Sequence, residues 1–100
     1  MRIPVTPLGQ CGFRFQLGST VVYTDPYLTN YVAEVEGQEM QRLRPVPFEP
    51  SSVSDADFVL VTHAHLDHCD LKTLVPLSIA STACRFVCPN ILRSSWAVRP

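Results

Sequence analysis

Phe58-Val59-Leu60-Val61-Thr62-His63-Ala64-His65-Leu66-Asp67-His68-Cys69-Asp70 is the stretch on which the fold of this chain turns. Residues 58–62 form a continuous apolar run after Asp55-Ala56-Asp57, as a strand buried on both faces would. The histidines begin where the run ends. The chain has 3 histidines, and His63, His65 and His68 fall within a few positions of one another with Asp67 among them. A single histidine is ordinarily a surface or a satisfied core residue. This cluster points to metal, because imidazole nitrogens and carboxylate oxygens are the donors that zinc and similar divalent ions take. In extended chain, residues two apart point the same way, so His63 and His65 can converge on one ion. Asp67 and His68 follow in a turn that redirects both, and a second ion gives them a partner. Two ions roughly 3.5–4 Å apart can clamp an attacking and a leaving oxygen.

His63-x-His65-x-Asp67-His68 after an apolar strand resembles the signature of the metallo-β-lactamase fold superfamily. The segment Leu8-Gly9-Gln10-Cys11-Gly12-Phe13, followed by Val21-Val22-Tyr23-Thr24-Asp25-Pro26-Tyr27, resembles the opening strands of that fold, where a glycine turn leads to a strand ending in Asp-Pro. Gly37-Gln38-Glu39-Met40-Gln41-Arg42 and Asp25-Pro26-Tyr27 are similar to the L-ascorbate-6-phosphate lactonase branch. The resemblance implies an α/β chain of the α+β sandwich type, the N-terminal half of an αββα sandwich. It implies a metal-dependent hydrolase that turns a metal-activated hydroxide on an ester, lactone or phosphodiester bond of a small-molecule substrate. His63 and His65 would hold the first ion and Asp67 and His68 the second, with Asp67 also catalytic, orienting water or passing on a proton. Two ions are implied for the complete site, zinc first, with manganese or iron as alternatives.

Members of the superfamily are longer and take further histidines and a bridging aspartate from downstream segments. No histidine follows His68 here, and Asp70 is too close to bridge. The expectation is therefore one partial domain over residues 1–100, the N-terminal part of a longer enzyme and inactive alone. The alternative is a catalytically inactive metal-binding fragment or a regulatory or interaction module. A half-fold would leave a sheet edge and an apolar face uncovered, so self-association is a further expectation. Relatives often carry histidine in the glycine turn, where this chain has Gln10.

Composition is that of a globular chain, with 46% hydrophobic and 17% charged residues. A formal net charge of −1 gives no electrostatic case for nucleic acid or an anionic membrane. No apolar stretch reaches the roughly 18 residues that cross a bilayer, and Met1-Arg2-Ile3-Pro4 does not open a signal peptide, so the cytoplasm is the expected location. That setting argues against disulfides among Cys11, Cys69, Cys84 and Cys88. Cys84 and Cys88 flank a short strand and should pack as small apolar residues. Cys69 diverges from His68 and should not join it as a ligand.

Along the chain, residues 2–8 and 12–17 read as short strands broken by glycine, and Gly18-Ser19 turns into a strand ending at Asp25-Pro26. Asp25 is expected either to accept the second N–H of a metal-bound histidine or simply to make the turn. Residues 28–56 read as a long surface excursion with some helical character over 30–44, broken by Pro45, Pro47 and Pro50. A substrate rim and an unstructured insertion remain equal readings of it. Thr62 is expected just to end its strand. Asp70 should cap a helix over 71–80, with Leu71, Leu74, Val75 and Ile79 on the buried face and Pro76 kinking or ending it. Residues 85–88 read as a strand parallel to the first across that helix, and 91–98 as a second helix.

Overall fold

The computed structural model describes residues 2–90. Five strands form one mixed sheet in the order β1-β2-β3-β4-β5. They are β1 (Val5–Pro7), β2 (Phe13–Leu17), β3 (Thr20–Thr24), β4 (Phe58–Leu60) and β5 (Arg85–Val87). The first three are antiparallel neighbours, with Phe13 opposite Thr24 and Leu17 opposite Thr20 across the Gly18-Ser19 turn. From β3 onward the pairing is parallel, Thr24 with Leu60 and Leu60 with Val87. Parallel neighbours need crossovers. The first carries α1 (Tyr31–Glu36) and the second α2 (Leu71–Ala80). This is the α/β architecture that the resemblance implies. No helix among the described residues is long and apolar enough to cross a membrane.

The sheet has one covered face. Val21, Tyr23, Val59 and Val61 are buried there with Leu74 and Leu77 of α2 and with Val53 and Ala56. Burying one valine this fully contributes about 1.5–3 kcal/mol. β4 departs from the expected strand buried on both sides. Val59 is 0% exposed, but its neighbour Phe58 is 36% exposed and Leu60 is only half-buried. The cause is that the helix and the 53–56 segment cover one face only.

Residues 28–56 hold more order than an excursion. Leu28, Val32, Ala33, Val53 and Ala56 are buried. α1 ends at Gly37, whose φ of +114° lets its N–H turn back to Ala33 O at 3.1 Å. Single 3₁₀ turns follow at Gln38–Met40 and Pro50–Ser52. Arg42 locks the segment down: it is 8% exposed, and its guanidinium donates to the carbonyls of Tyr27, of Leu8 at 2.7 Å and of Arg44 at 3.0 Å. It also lies over the Tyr27 ring, 5.1 Å from the centroid. Burial holds its pKa below the ordinary arginine value.

α2 begins and ends where the sequence places it. The Asp70 carboxylate accepts from Lys72 N at 3.0 Å, from Thr29 Oγ1 at 2.6 Å and from Thr73 Oγ1 at 2.8 Å. Thr73 Oγ1 in turn accepts from Leu28 N at 2.9 Å, which ties the helix start to the first crossover. The buried face differs from the expected one. Thr73, Leu74 and Leu77 are inside, while Val75 and Ile79 are exposed. Capping and the hydroxyl bonds orient the helix onto its Asp70–Thr73–Leu77 stripe, and apolarity alone does not rank that stripe first. Pro76 does not end the helix, which runs on to Ala80. The expected helix over 91–98 lies outside the described residues. Cys69, Cys84 and Cys88 pack against the core, and no disulfide occurs among the described residues.

Candidate metal centre

The parallel register between β3 and β4 brings the end of one strand to the end of the other. Asp25 N donates to Leu60 O at 2.8 Å. This fixes the Asp25 side chain against the first residues after β4. Its Oδ1 accepts from Thr62 N at 2.7 Å, and its Oδ2 accepts from Thr62 Oγ1 at 2.7 Å and lies 3.0 Å from His68 Nδ1. Gly12 leaves the room for this turn: a Cβ there would lie 2.4 Å from Asp25 O and 2.5 Å from Thr24 O.

These contacts fix proton positions. Thr62 gives its hydroxyl proton to Asp25, so its oxygen is left to accept from His63 Nδ1 at 2.7 Å. Asp25 accepts only, so His68 Nδ1 carries a proton as well. Both rings are therefore held as Nδ1–H tautomers, and the Nε2 lone pairs of His63 and His68 are the ones offered to a cation. Burial pushes the Asp25 carboxyl up, but the hydrogen bonds from His68 and Thr62 outweigh it and hold its pKa below the usual carboxylate value.

A turn closes the motif, with His68 N and Cys69 N donating to His65 O at 2.9 and 2.7 Å. It folds His68 back over His63, whose ring centroid is 4.1 Å away. His65 stands edge-on to His63 at 4.6 Å and is exposed. His68 Nε2 and Asp67 Oδ2 face each other at 3.7 Å. Two sets of donors have all their ligand atoms within 4.8 Å of one another: Asp25, His63 and His68, and Cys11, Asp67 and His68. The structure thus brings His63, Asp67, His68 and Asp25 together. It pairs His63 with His68 more closely than with His65 alone, because β4 ends at Leu60 and the chain has left the extended pleat by His63. Nitrogen, carboxylate and thiol donors on a fixed scaffold fit a divalent metal ion.

Sequence reasoning missed two members. Thr62 does more than end a strand, since it relays the Asp25 anchor to His63. Cys11 reaches the site from the glycine turn, with its Sγ 2.6 Å from Asp67 O. Burial, then the carboxylates of Asp67 and Asp25, push its thiol up to about 11 against the opposing pull of Arg42. Beside the motif opens a cavity of about 480 Å³, walled by Tyr27, Val32, Glu36 and Met40 on the crossover and by His65, Leu66 and Asp67 on the motif.

Residues 20–97 match the sequence model of a family described as a beta-lactamase superfamily domain. An uncharacterized protein of Mycobacterium tuberculosis is 29% identical over 76 residues, which is 76% of this chain and 20% of that protein. The mitochondrial N-acyl-phosphatidylethanolamine-hydrolyzing phospholipase D of Saccharomyces cerevisiae is 29% identical over 104 aligned residues, 91% of this chain and 22% of its own. A metallo hydrolase from the archaeon Ignicoccus hospitalis superposes with a TM-score of 0.62 at 18% identity, over 95% of this chain and 35% of that one. The chain thus spans about a fifth of the length of the curated relatives it matches.

Proposed function

The chain belongs to the beta-lactamase superfamily domain family, and from that premise we propose that it contributes the first metal ligands of a metal-dependent hydrolase, as the N-terminal part of a longer enzyme. The observation that carries the proposal is the pair of contacts at Nδ1: Asp25 Oδ2 lies 3.0 Å from His68 Nδ1 and Thr62 Oγ1 2.7 Å from His63 Nδ1, which leaves both Nε2 atoms free to face a cation. His63, His65, Asp67 and His68 are the proposed ligands, with two ions in the complete site. A divalent cation held there would supply Lewis acidity, lowering the pKa of a bound water to about 7.

The residues of the chain do the rest. Asp25 and Thr62 orient the imidazoles. Asp67, half-buried beside the cavity, is the residue proposed to orient water or pass on a proton. Tyr27, Val32 and Met40 seat the part of a small-molecule substrate that does not react. Among ester, lactone and phosphodiester bonds, the phosphodiester comes first, because the yeast relative's name is that of a phospholipase D. A lactone comes second: Gly37–Arg42, the segment similar to lactonases, builds the rim at Met40 and anchors it through Arg42. The proposed location is the cytoplasm.

Calorimetry with zinc and manganese, joined to assays on a phosphodiester and a lactone, tests this reading. Two tightly held ions are expected of a competent site, and His63→Ala or His68→Ala should abolish their uptake. One weak ion without turnover would favour the non-hydrolytic metal binder. A folded chain that takes up no divalent cation overturns the proposal.

A further inference from the structure

We propose that the thiol of Cys11 is itself a metal ligand, completing a sulfur, oxygen and nitrogen set with Asp67 and His68. The inference rests on the metal reading above and goes beyond it, since it adds a donor from a different part of the chain and sets which metal is preferred. Cys11 is 56 positions from Asp67 in sequence, yet its Sγ lies 2.6 Å from Asp67 O. The closed glycine turn, with Leu8 N bonded to Gly12 O at 3.1 Å, holds it there. Ligand atoms of Cys11, Asp67 and His68 all lie within 4.8 Å of one another. Around tetrahedral zinc, with bonds of about 2.0–2.3 Å, donor atoms stand roughly 3.3–3.6 Å apart. Asp67 Oδ2 and His68 Nε2 are already 3.7 Å apart, and the Cys11 sulfur lies within 4.8 Å of a ligand atom of each.

Cys11 differs from the other cysteines. Cys69, Cys84 and Cys88 pack against the hydrophobic core, whereas Cys11 faces the carboxylates and imidazoles of the motif. On binding, the S–H bond breaks, a sulfur–metal bond forms, and the proton leaves to the buffer. Thiolate favours zinc or cobalt over magnesium or manganese, which prefer oxygen. The set therefore gives this site a zinc preference that two histidines and a carboxylate do not impose by themselves.

Cobalt(II) substitution of the purified chain tests this. Bound cobalt should show a thiolate-to-cobalt charge-transfer band in the near ultraviolet. Cys11→Ser should abolish the band and weaken zinc binding about 10-fold or more, with a smaller change for manganese. In parallel, zinc should protect Cys11 of the unaltered chain from alkylation, read by mass spectrometry, while leaving Cys84 and Cys88 at their metal-free rates. That second measurement does not depend on the variant folding. Cobalt bound without the band, a band that survives in Cys11→Ser, or Cys11 alkylated equally with and without zinc overturns the Cys11 proposal while the histidine site stands. No cobalt bound at all overturns the metal reading, and this inference with it.

Discussion

Asp25 sits at φ +42°, in a left-handed region that residues other than glycine rarely occupy. Such strain, of order 1–3 kcal/mol, persists only where surroundings over-determine it, and here Leu60 O, Thr62 and His68 do so. The Asp25→Asn side chain is isosteric, but its amide cannot accept at both positions. Oδ2 serves both His68 Nδ1 and Thr62 Oγ1, so an amide NH2 at that position releases His68 and, through Thr62, His63. Zinc affinity, measured by competition with a chelator, should fall about 10–100-fold with little change in melting temperature. An unchanged affinity would remove Asp25 from the site. A separate carboxylate governs acid stability. Asp55 takes Arg14 at 2.8 Å and the Tyr23 hydroxyl at 2.8 Å; burial raises its pKa, but Arg14 and Tyr23 more than reverse that and hold it below its ordinary 3.8. A depressed native pKa means stability that is present above the unfolded value and lost as pH falls through the folded one. Solvent screens the pair, so its contribution is at most about 1 kcal/mol. In denaturant titrations, Asp55→Asn should flatten the loss of stability below about pH 4 and leave that above it parallel to the parent. Asp25 was legible in the sequence because Asp-Pro marks a strand end. Thr62 and Cys11 were not, because their roles come from the parallel β3–β4 register and the approach of the glycine turn, and neither leaves a local pattern.

At the scale of an element, α2 shows where periodicity succeeds and where it fails. Its limits follow from Asp70 and the surrounding chain, and both were readable. Its buried face was not, because Thr73 occupies a core position that only hydrogen bonding explains. Thr73 takes Leu28 N and gives its proton to Asp70. Thr73→Val keeps the shape and loses both bonds, leaving the Leu28 amide buried without a partner. The expected cost is about 1–3 kcal/mol in chemical denaturation. Ile79, 71% exposed, is the control: Ile79→Lys should change stability by no more than about 0.5 kcal/mol. Equal losses from the two changes would mean that the helix rests on the face its apolar residues suggest. The first crossover follows the same rule. Arg42, which counts for little in a net charge, joins Leu8, Tyr27 and Arg44 through their carbonyls, and so holds the glycine turn of Cys11 and the Tyr27 wall of the cavity in one unit.

For the whole molecule, the two faces of the sheet set its behaviour in solution. The registers Val5–Phe15, Phe15–Val22 and Val22–Phe58 run one apolar row across four strands on the side away from α2. Val5, Phe58 and Val87 on that side are substantially exposed. The alternation of β2 was visible in the sequence, but which of its faces would be covered was not, since that depends on where both crossovers lie. Among the paired positions of this face only Arg85 is charged, so two copies can meet across it with little unpaired charge to bury. Apolar patches left uncovered drive association, so the chain taken by itself is expected to pair with a second copy across this face. The weight-average mass from sedimentation should rise with concentration over the micromolar range. Phe58→Lys places a charge at the β4 end of the row and should return the chain to a monomer, with zinc uptake intact because Phe58 lies on the sheet face opposite Tyr23 and Val59. A chain that stays monomeric at every concentration, or a Phe58→Lys chain that associates as before, would show that this face is not where copies meet.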